Sequence, residues 1–277
     1  MYIDSHQHFW FFDPIRDSWI TTEMSVIQKN FLPEDLKPIL DENGIGGCVA
    51  VQASQSDSET TFLLQQAEAN EFIKGVVGWI DLKDKDLYDQ LDRLTQFEKL
   101  KGFRHVVQGE PDGFMLDTQF VKGVRALAAF DFSYDILIYP HQLQEAFEFA
   151  RQLPEVRMVV DHIAKPYIKK GEVDAWAEGM VQLASLPNVS CKVSGMVTEA
   201  DWTAWKPSDF TPYLDVVFEA FGPDRLMFGS DWPVCLVAAS YKEMKQVLDQ
   251  YLASFENTDR EKIMGGNAAK FYRLELA

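Results

Sequence analysis

The sequence predicts an α/β fold, a (β/α)8 barrel, on three observations. Its length suits one such domain, eight short apolar runs alternate with amphipathic stretches, and ionisable residues gather where those runs end. At 277 residues the chain could hold two domains of roughly 150 residues, yet α/β barrels fill this length as one. No linker rich in Pro, Gly or Ser divides it, so a single barrel domain over residues 1–277 is expected. A hydrophobic content of 47%, including 20 Phe, 9 Tyr and 7 Trp, supplies a sizeable core and excludes intrinsic disorder.

The eight runs are Tyr2–His6, Gly47–Ala53, Gly75–Ile80, Gly102–Val107, Ser133–Ile138, Arg157–His162, Val189–Val193 and Leu226–Asp231. They read as strands because they are brief, rich in Val, Ile and Phe, and bounded by Gly, Pro or polar residues. Between them, Leu63–Phe72 places Leu63, Leu64, Ala67 and Phe72 among polar residues. Leu143–Leu153 sets Leu143, Ala146, Phe147, Ala150 and Leu153 on one face; both stretches fit helices packed outside a sheet. Runs apolar enough to be covered on both sides imply parallel strands joined by right-handed crossovers. The competing fold, an open doubly wound sheet, wants a Gly-rich phosphate turn after an early strand. The cluster Gly44-Ile45-Gly46-Gly47 precedes its strand instead. Residues 9–33, rich in Trp and Phe, form a long first loop and a candidate lid over the barrel mouth.

With 26 Lys and Arg against 43 Asp and Glu, the net charge of −17 repels phosphate backbones and anionic membranes, so no nucleic-acid or membrane partner is expected. Cys48, Cys191 and Cys235 are scattered with no C-x-x-C spacing, as buried thiols in a reducing compartment would be. No signal-type segment opens the sequence and no run of about 18 apolar residues occurs, which points to a soluble cytoplasmic protein.

The sharpest local feature is Ile3-Asp4-Ser5-His6-Gln7-His8. Side chains alternate along a strand, so His6 and His8 project to one side and their imidazoles can converge on one cation or one substrate atom. Five histidines placed at random would give about 0.1 such H-x-H patterns, so the pair carries information even before its place at a strand end is considered. Its plain alternative is two histidines hydrogen-bonded in a polar layer. At Met227-Phe228-Gly229-Ser230-Asp231-Trp232-Pro233 a buried run ends in an acid. In a closed barrel the eighth strand lies beside the first, which brings Asp231 to His6 and His8. There it can ligate a metal, take a proton from water, or do both; its alternative is a helix cap.

Val159-Val160-Asp161-His162-Ile163-Ala164-Lys165-Pro166 ends another apolar run. Alternation allows only one of Asp161 and His162 to face the axis, and His162 is the choice. Further basic candidates are Arg104 and His105 after Gly102-Phe103, His141 after Tyr139-Pro140, and Lys165, with Lys192 ranked last. An Arg suits forked contact to a carbonyl or carboxylate oxygen, where Lys acts as a point charge. The tryptophans, Trp10 and Trp232 among them, are core or loop packing by default, although those after the first, seventh and eighth strands could wall a pocket.

Taken together, these residues resemble the amidohydrolase superfamily, in its branch of sugar lactonases, fuconolactonase-like. The resemblance spans nearly the whole chain: His6-x-His8, Gly102-Phe103-Arg104-His105, Tyr139-Pro140-His141-Gln142, Asp161-His162-Ile163-Ala164-Lys165-Pro166 and Gly229-Ser230-Asp231-Trp232-Pro233. It implies a distorted (β/α)8 barrel that hydrolyses a lactone, most simply a sugar lactone opened to its aldonic acid. In that reading Asp231, His162 and Arg104 are catalytic, while His105, His141, Lys165 and Trp10 bind substrate. His6, His8 and Asp231 hold zinc or another divalent metal. Members of the superfamily usually bind one or two metals, and some of this branch work without one. Arg104 and His105 stand where a bridging Lys or Glu would be, which leaves a mononuclear or an empty site. A homo-oligomer stays open. So do two other functions: a decarboxylase of the same superfamily acting on an unsaturated acid, and a catalytically silent barrel that binds a ligand.

Overall fold

Residues 1–276 are described by a computed structural model. Eight parallel strands run in chain order: β1 (Ile3–Gln7), β2 (Gly47–Val51), β3 (Ile73–Gly78), β4 (Leu100–His105), β5 (Ser133–Ile136), β6 (Met158–Val160), β7 (Val189–Val193) and β8 (Leu226–Phe228). Each pairs with the next. Closure of β8 onto β1 falls at the upper rim, where Gln7 and Trp232 form a parallel bridge and Asp231 N donates to His6 O at 2.8 Å. Lower down, Ser5 Oγ donates to Phe228 O at 2.6 Å, and Ser230 N donates to the Asp4 carboxylate at 2.8 Å. Asp4 also accepts from Tyr241 Oη, so one buried acid straps the first and last strands together.

The strands end sooner than the apolar runs do. The expected strands ending at His162 and Asp231 stop at Val160 and Phe228, and the ionisable residues lie on the turns that follow. Hydrophobicity continues through those turns because they too are buried, so composition alone does not mark where the ladder stops. The first expected helix spans Asp57–Ala69, opened by the Ser56 side chain accepting from Glu59 N, and Phe72 falls beyond it. The other spans Leu143–Ala150, with Phe149 rather than Phe147 fully buried.

Alternation sorts the strand residues into two cores. Cys48, Ala50, Val76, Phe103, Tyr134, Ile136, Met158, Val160, Cys191, Val193, Leu226 and Phe228 pack outward against the helices. Ile3, Val49, Val51, Val77, Val159 and Met227 form a separate inner cluster with Ala268, Tyr272 and Leu274. The C-terminal helix Asn267–Tyr272 thus closes the lower end of the barrel, with Tyr272 as its plug. Residues 9–33 fold around an apolar centre of Phe9, Trp10, Ile20, Ile27 and Phe31, pinned by a bridge between Trp10 and Phe31. Among the described residues no helix is long and apolar enough to cross a membrane.

Candidate active site

The inward positions of β4, β5 and β7 are not apolar. Strict alternation with the outward residues puts Arg104, Asp135 and Lys192 inside, and Asp161 continues the inward parity of Val159 just past β6. These four form a buried layer. Lys192 Nζ donates to Asp135 Oδ2 at 2.6 Å and lies 3.0 Å from Asp161 Oδ1. Arg104 Nη1 donates to Asp161 Oδ2 at 2.9 Å, and Arg104 Nη2 donates to Gln52 O. Tyr272 Oη donates to Asp135 from below at 2.8 Å. Burial works against the Asp161 charge, but Lys192, His6 and Arg104 outweigh it and hold this carboxyl well below the ordinary range. Burial, reinforced by Asp161 and opposed by Lys192, pushes Asp135 up to about 6.

Above this layer lies the ring of imidazoles. Ile3 packs inside the barrel and Asp4 reaches outward to Tyr241, so a regular strand would turn His6 outward as well. The register of β1 against β2 shifts between Asp4 and Gln7, an irregularity of the kind that re-aims side chains, and His6 faces the axis. There its Nδ1 lies 3.2 Å from Asp161 Oδ1 and its Nε2 accepts from Arg104 Nη1 at 3.2 Å. Two positions on, His8 Nδ1 donates to Val51 O at 2.7 Å, which leaves the Nε2 lone pair unclaimed and aimed at the same point.

His162 arrives by a different route. His162, Ile163, Ala164 and Lys165 all have φ between 48° and 58°, a left-handed turn that costs L-residues roughly 1–2 kcal/mol each. Trp176 Nε1, donating to Ile163 O at 2.7 Å, and Lys165 N, donating to His162 O at 2.8 Å, hold it. The turn overrides alternation. Of the pair Asp161 and His162, the sequence expectation admits one to the axis; the structure admits both, Asp161 by strand parity and His162 by the turn. Asp231, also left-handed at φ 58°, is carried just beyond β8. Gly229 is required below it, because a Cβ there would lie 2.8 Å from His6 Cβ. The following short helix has no side-chain cap, so Asp231 is not spent on capping.

The result is a tight group. His6 Nε2 and His8 Nε2 lie 3.2 Å apart, and Asp231 Oδ1 is 3.4 Å from His8 Nε2, 3.7 Å from His162 Nε2 and 4.0 Å from His6 Nε2. A tetrahedral ion with bonds of about 2.0–2.2 Å sets its ligand atoms about 3.3–3.6 Å apart. The His6–His8 and His8–Asp231 separations match that spacing closely and the 4.0 Å from His6 to Asp231 is wider; all three imidazoles have Nδ1 at hydrogen-bond distance from a partner, His6 from Lys192 Nζ, His8 from Val51 O and His162 from Ser194 Oγ. The set therefore suits a divalent cation. A second group, His6, Asp161 and His162, fits less well because Asp161 is already taken by Arg104 and Lys192. Burial keeps His6 and His162 well below the ordinary histidine range; His162 Nε2 offers its lone pair, while that of His6 Nε2 is shared with Arg104 Nη1. Burial would raise Asp231, but His162, His8 and Lys165 more than offset it and keep the carboxylate ionised.

Other candidates from the sequence fall elsewhere. Arg104 does not point at the open site; its guanidinium sits beneath His6, engaged by Asp161 and Gln52. The reason is parity: Arg104 is an inward residue still within β4, level with Asp135 of β5, and so lands in the lower layer. His105, one residue on, faces outward, where Nε2 donates to Glu110 at 2.8 Å and its ring stacks on Phe114. His141 is exposed on the rim, stacked on Tyr139. Trp10 is packed in the first loop, its ring 6.4 Å from that of His8 and its Nε1 donating to Lys29 O. Lys165 stands at the mouth beside Glu199, at 3.9 Å. Sequence reasoning set Asp161 aside, ranked Lys192 last and missed Asp135 and Glu199. For the first three, the signal available was an ionisable residue at an inward strand position.

Three imidazoles and an ionised carboxylate gathered where a barrel's loops open mark a hydrolase site rather than a packed core. The sequence profile of the amidohydrolase family matches residues 3–274, and the chain belongs to that family. It is 40% identical to an L-fucono-1,5-lactonase of Burkholderia multivorans, over 98% of this chain and 96% of that one. A second L-fucono-1,5-lactonase, from Burkholderia ambifaria, is 35% identical over 99% and 96%. A crystal structure of a Burkholderia multivorans amidohydrolase with bound zinc superposes with a TM-score of 0.95 at 40% identity, covering 99% of this chain and 100% of that one.

Proposed function

We propose that this protein hydrolyses a sugar lactone to the corresponding aldonic acid, with Asp231 as the general base. The observation that carries the reading is the convergence of Asp231 Oδ1, His6 Nε2 and His8 Nε2 within 4.0 Å at the barrel mouth, in a chain related over 98% of its length to an L-fucono-1,5-lactonase. Lactone opening needs a water nucleophile, a proton for the departing ring oxygen and support for the developing oxyanion. His162 Nε2, 3.7 Å from Asp231, accepts a hydrogen bond from the attacking water and aims it. Asp231 takes the water's proton as the new carbon–oxygen bond forms. When the tetrahedral intermediate collapses, the ring carbon–oxygen bond breaks and Asp231 returns that proton to the leaving oxygen. His6 is positioned from beneath by Arg104 and Asp161, which gives Arg104 a supporting role.

His6, His8 and Asp231 would hold the cation, zinc in this proposal and one per chain. When bound, it supplies a Lewis acid that polarises the ring carbonyl. The experiment that tests the reading is a pH-indicator screen of aldonolactones, since each turnover releases an acid proton. Acid release from at least one aldonolactone is expected, and silence across the panel overturns the reading. Chelation followed by elemental analysis tests zinc separately: full turnover in a metal-free sample removes it from the reaction.

A further inference from the structure

Two ionisable side chains at the mouth are left over by this chemistry. Lys165 ends the left-handed turn that carries His162, and Glu199 ends the short helix Met196–Glu199 that follows β7. The two loops touch. Gly195, at the foot of that helix, lies so close to the His162 ring that a Cβ would come within 2.5 Å of Nδ1. Glu199 is held in place by local hydrogen bonds, Thr198 Oγ1 donating to Gly195 O and Trp202 Nε1 to Thr198 O. Lys165 Nζ lies 5.6 Å over the Tyr139 ring.

The side chains are only 18% and 19% exposed, yet among the described residues neither the Lys165 ammonium nor the Glu199 carboxylate makes a hydrogen bond. Their 3.9 Å separation is wider than the 2.7–2.9 Å, about, of a charge-assisted contact. A four-fifths-buried pair would ordinarily close that gap. Held apart, the two present a donor and an acceptor across a space that one oxygen can bridge, and a hydroxyl, which donates once and accepts twice, fits both.

We infer that Lys165 and Glu199 read a hydroxyl of the substrate ring, which accepts from Lys165 Nζ and donates to Glu199. The inference rests on the sugar-lactone reading and names the feature that separates such a substrate from a bare lactone. The pair also belongs electrically to the site: the Lys165 charge acts on Asp231 and His162. Burial lifts Glu199 to about 7, with Lys165 pulling it down and Asp231 pushing it further up.

The test compares kcat/KM for an aldono-1,5-lactone with that for δ-valerolactone, which has the same ring without hydroxyls, in wild type, Glu199→Leu and Lys165→Met. The preference for the hydroxylated ring is expected to fall by about tenfold to a hundredfold in each variant, the loss of one hydrogen bond to a charged group. The double variant should fall no further than the worse single one, because both act on one hydroxyl. Glu199→Gln, which keeps an acceptor, should recover part of the loss. A preference within about twofold of wild type in either folded variant overturns the inference. So does an equal fall on both lactones, which would make the pair part of the reaction machinery. Wild type that opens δ-valerolactone with no preference for the hydroxylated ring overturns the inference and leaves lactone hydrolysis standing. Wild type that opens neither overturns both.

Discussion

Two layers of buried polar side chains sit one above the other in this barrel, and they have opposite characters. The lower layer, Arg104, Asp135, Asp161 and Lys192, sets two cations against two carboxylates, and nearly every charge is answered from within. The upper layer, His6, His8, His162 and Asp231, is equally buried, but it gathers the Nε2 atoms of three imidazoles around one carboxylate. Burial is therefore no guide to function here. The lower layer pairs charge with charge, although Arg104 Nε, Asp135 Oδ1 and Asp161 Oδ1 have no hydrogen-bond partner among the described residues, whereas the upper layer gathers imidazole nitrogens and one carboxylate where a cation or a reacting atom has something to gain.

Variants that act on one layer and spare the other put this contrast at risk. The largest effect is expected from Asp231→Asn in the upper layer, which keeps the shape and removes the proposed base. Turnover should fall by about 10²–10⁴ with the melting temperature nearly unchanged; turnover within about tenfold of wild type would take the base role from Asp231. The mirror case is Lys192→Met, which leaves Asp135 and Asp161 facing each other without their shared cation. Unfolding in denaturant should show a loss of about 3–5 kcal/mol, a large share of a typical domain's stability. A loss under about 1 kcal/mol would mean that the lower layer is not a charge scaffold.

Tyr272→Phe removes one hydrogen bond to Asp135 from the same layer, and about 1.5–3 kcal/mol of stability with it, measured in the same way. Activity per folded molecule should stay close to wild type.

The strap at Asp4 sharpens the comparison through pH. Burial raises Asp4 from 3.8 to about 6, against hydrogen bonds from Ser230, His6 and Tyr241 that lower it. The folded chain then holds this proton more tightly than the unfolded chain does. Its stabilising contribution is complete below about pH 4 and is lost as pH rises through about 6. Melting temperatures of wild type and Asp4→Asn, compared over that window, should diverge with the variant changing less. Parallel curves would show that Asp4 is not the group responsible. The smallest effect is expected at the exposed rim, where His141→Ala should change kcat/KM and stability by about twofold or less.

Much of this was legible before the structure. Parallel βα alternation is written in composition and spacing, because strands covered by helices read as short apolar runs and each helix is apolar on one face. The nearness of Asp231 to His6 and His8 follows from closure alone, since a barrel of eight strands in order must bring its last beside its first. What misled was the assumption that alternation persists to the last residue of an apolar run. It persists through Arg104 and so draws that residue down into the scaffold. It fails at the register shift that re-aims His6 and at the turn that brings in His162. Both depend on backbone conformations no residue type here announces: positive φ at His162, Ile163 and Ala164 is set by the packing around them, not by a glycine.

By itself, then, the sequence determined the barrel, the order of its strands and the presence of His6, His8, His162 and Asp231 at its upper rim, because hydrophobic periodicity and chain connectivity are local or additive properties. Only the tertiary structure decided which ionisable groups satisfy one another and which stay free. That is settled by distances of a few ångströms between residues such as His6 and Lys192, 186 positions apart in the chain, where electrostatics depends on separation in space rather than in sequence.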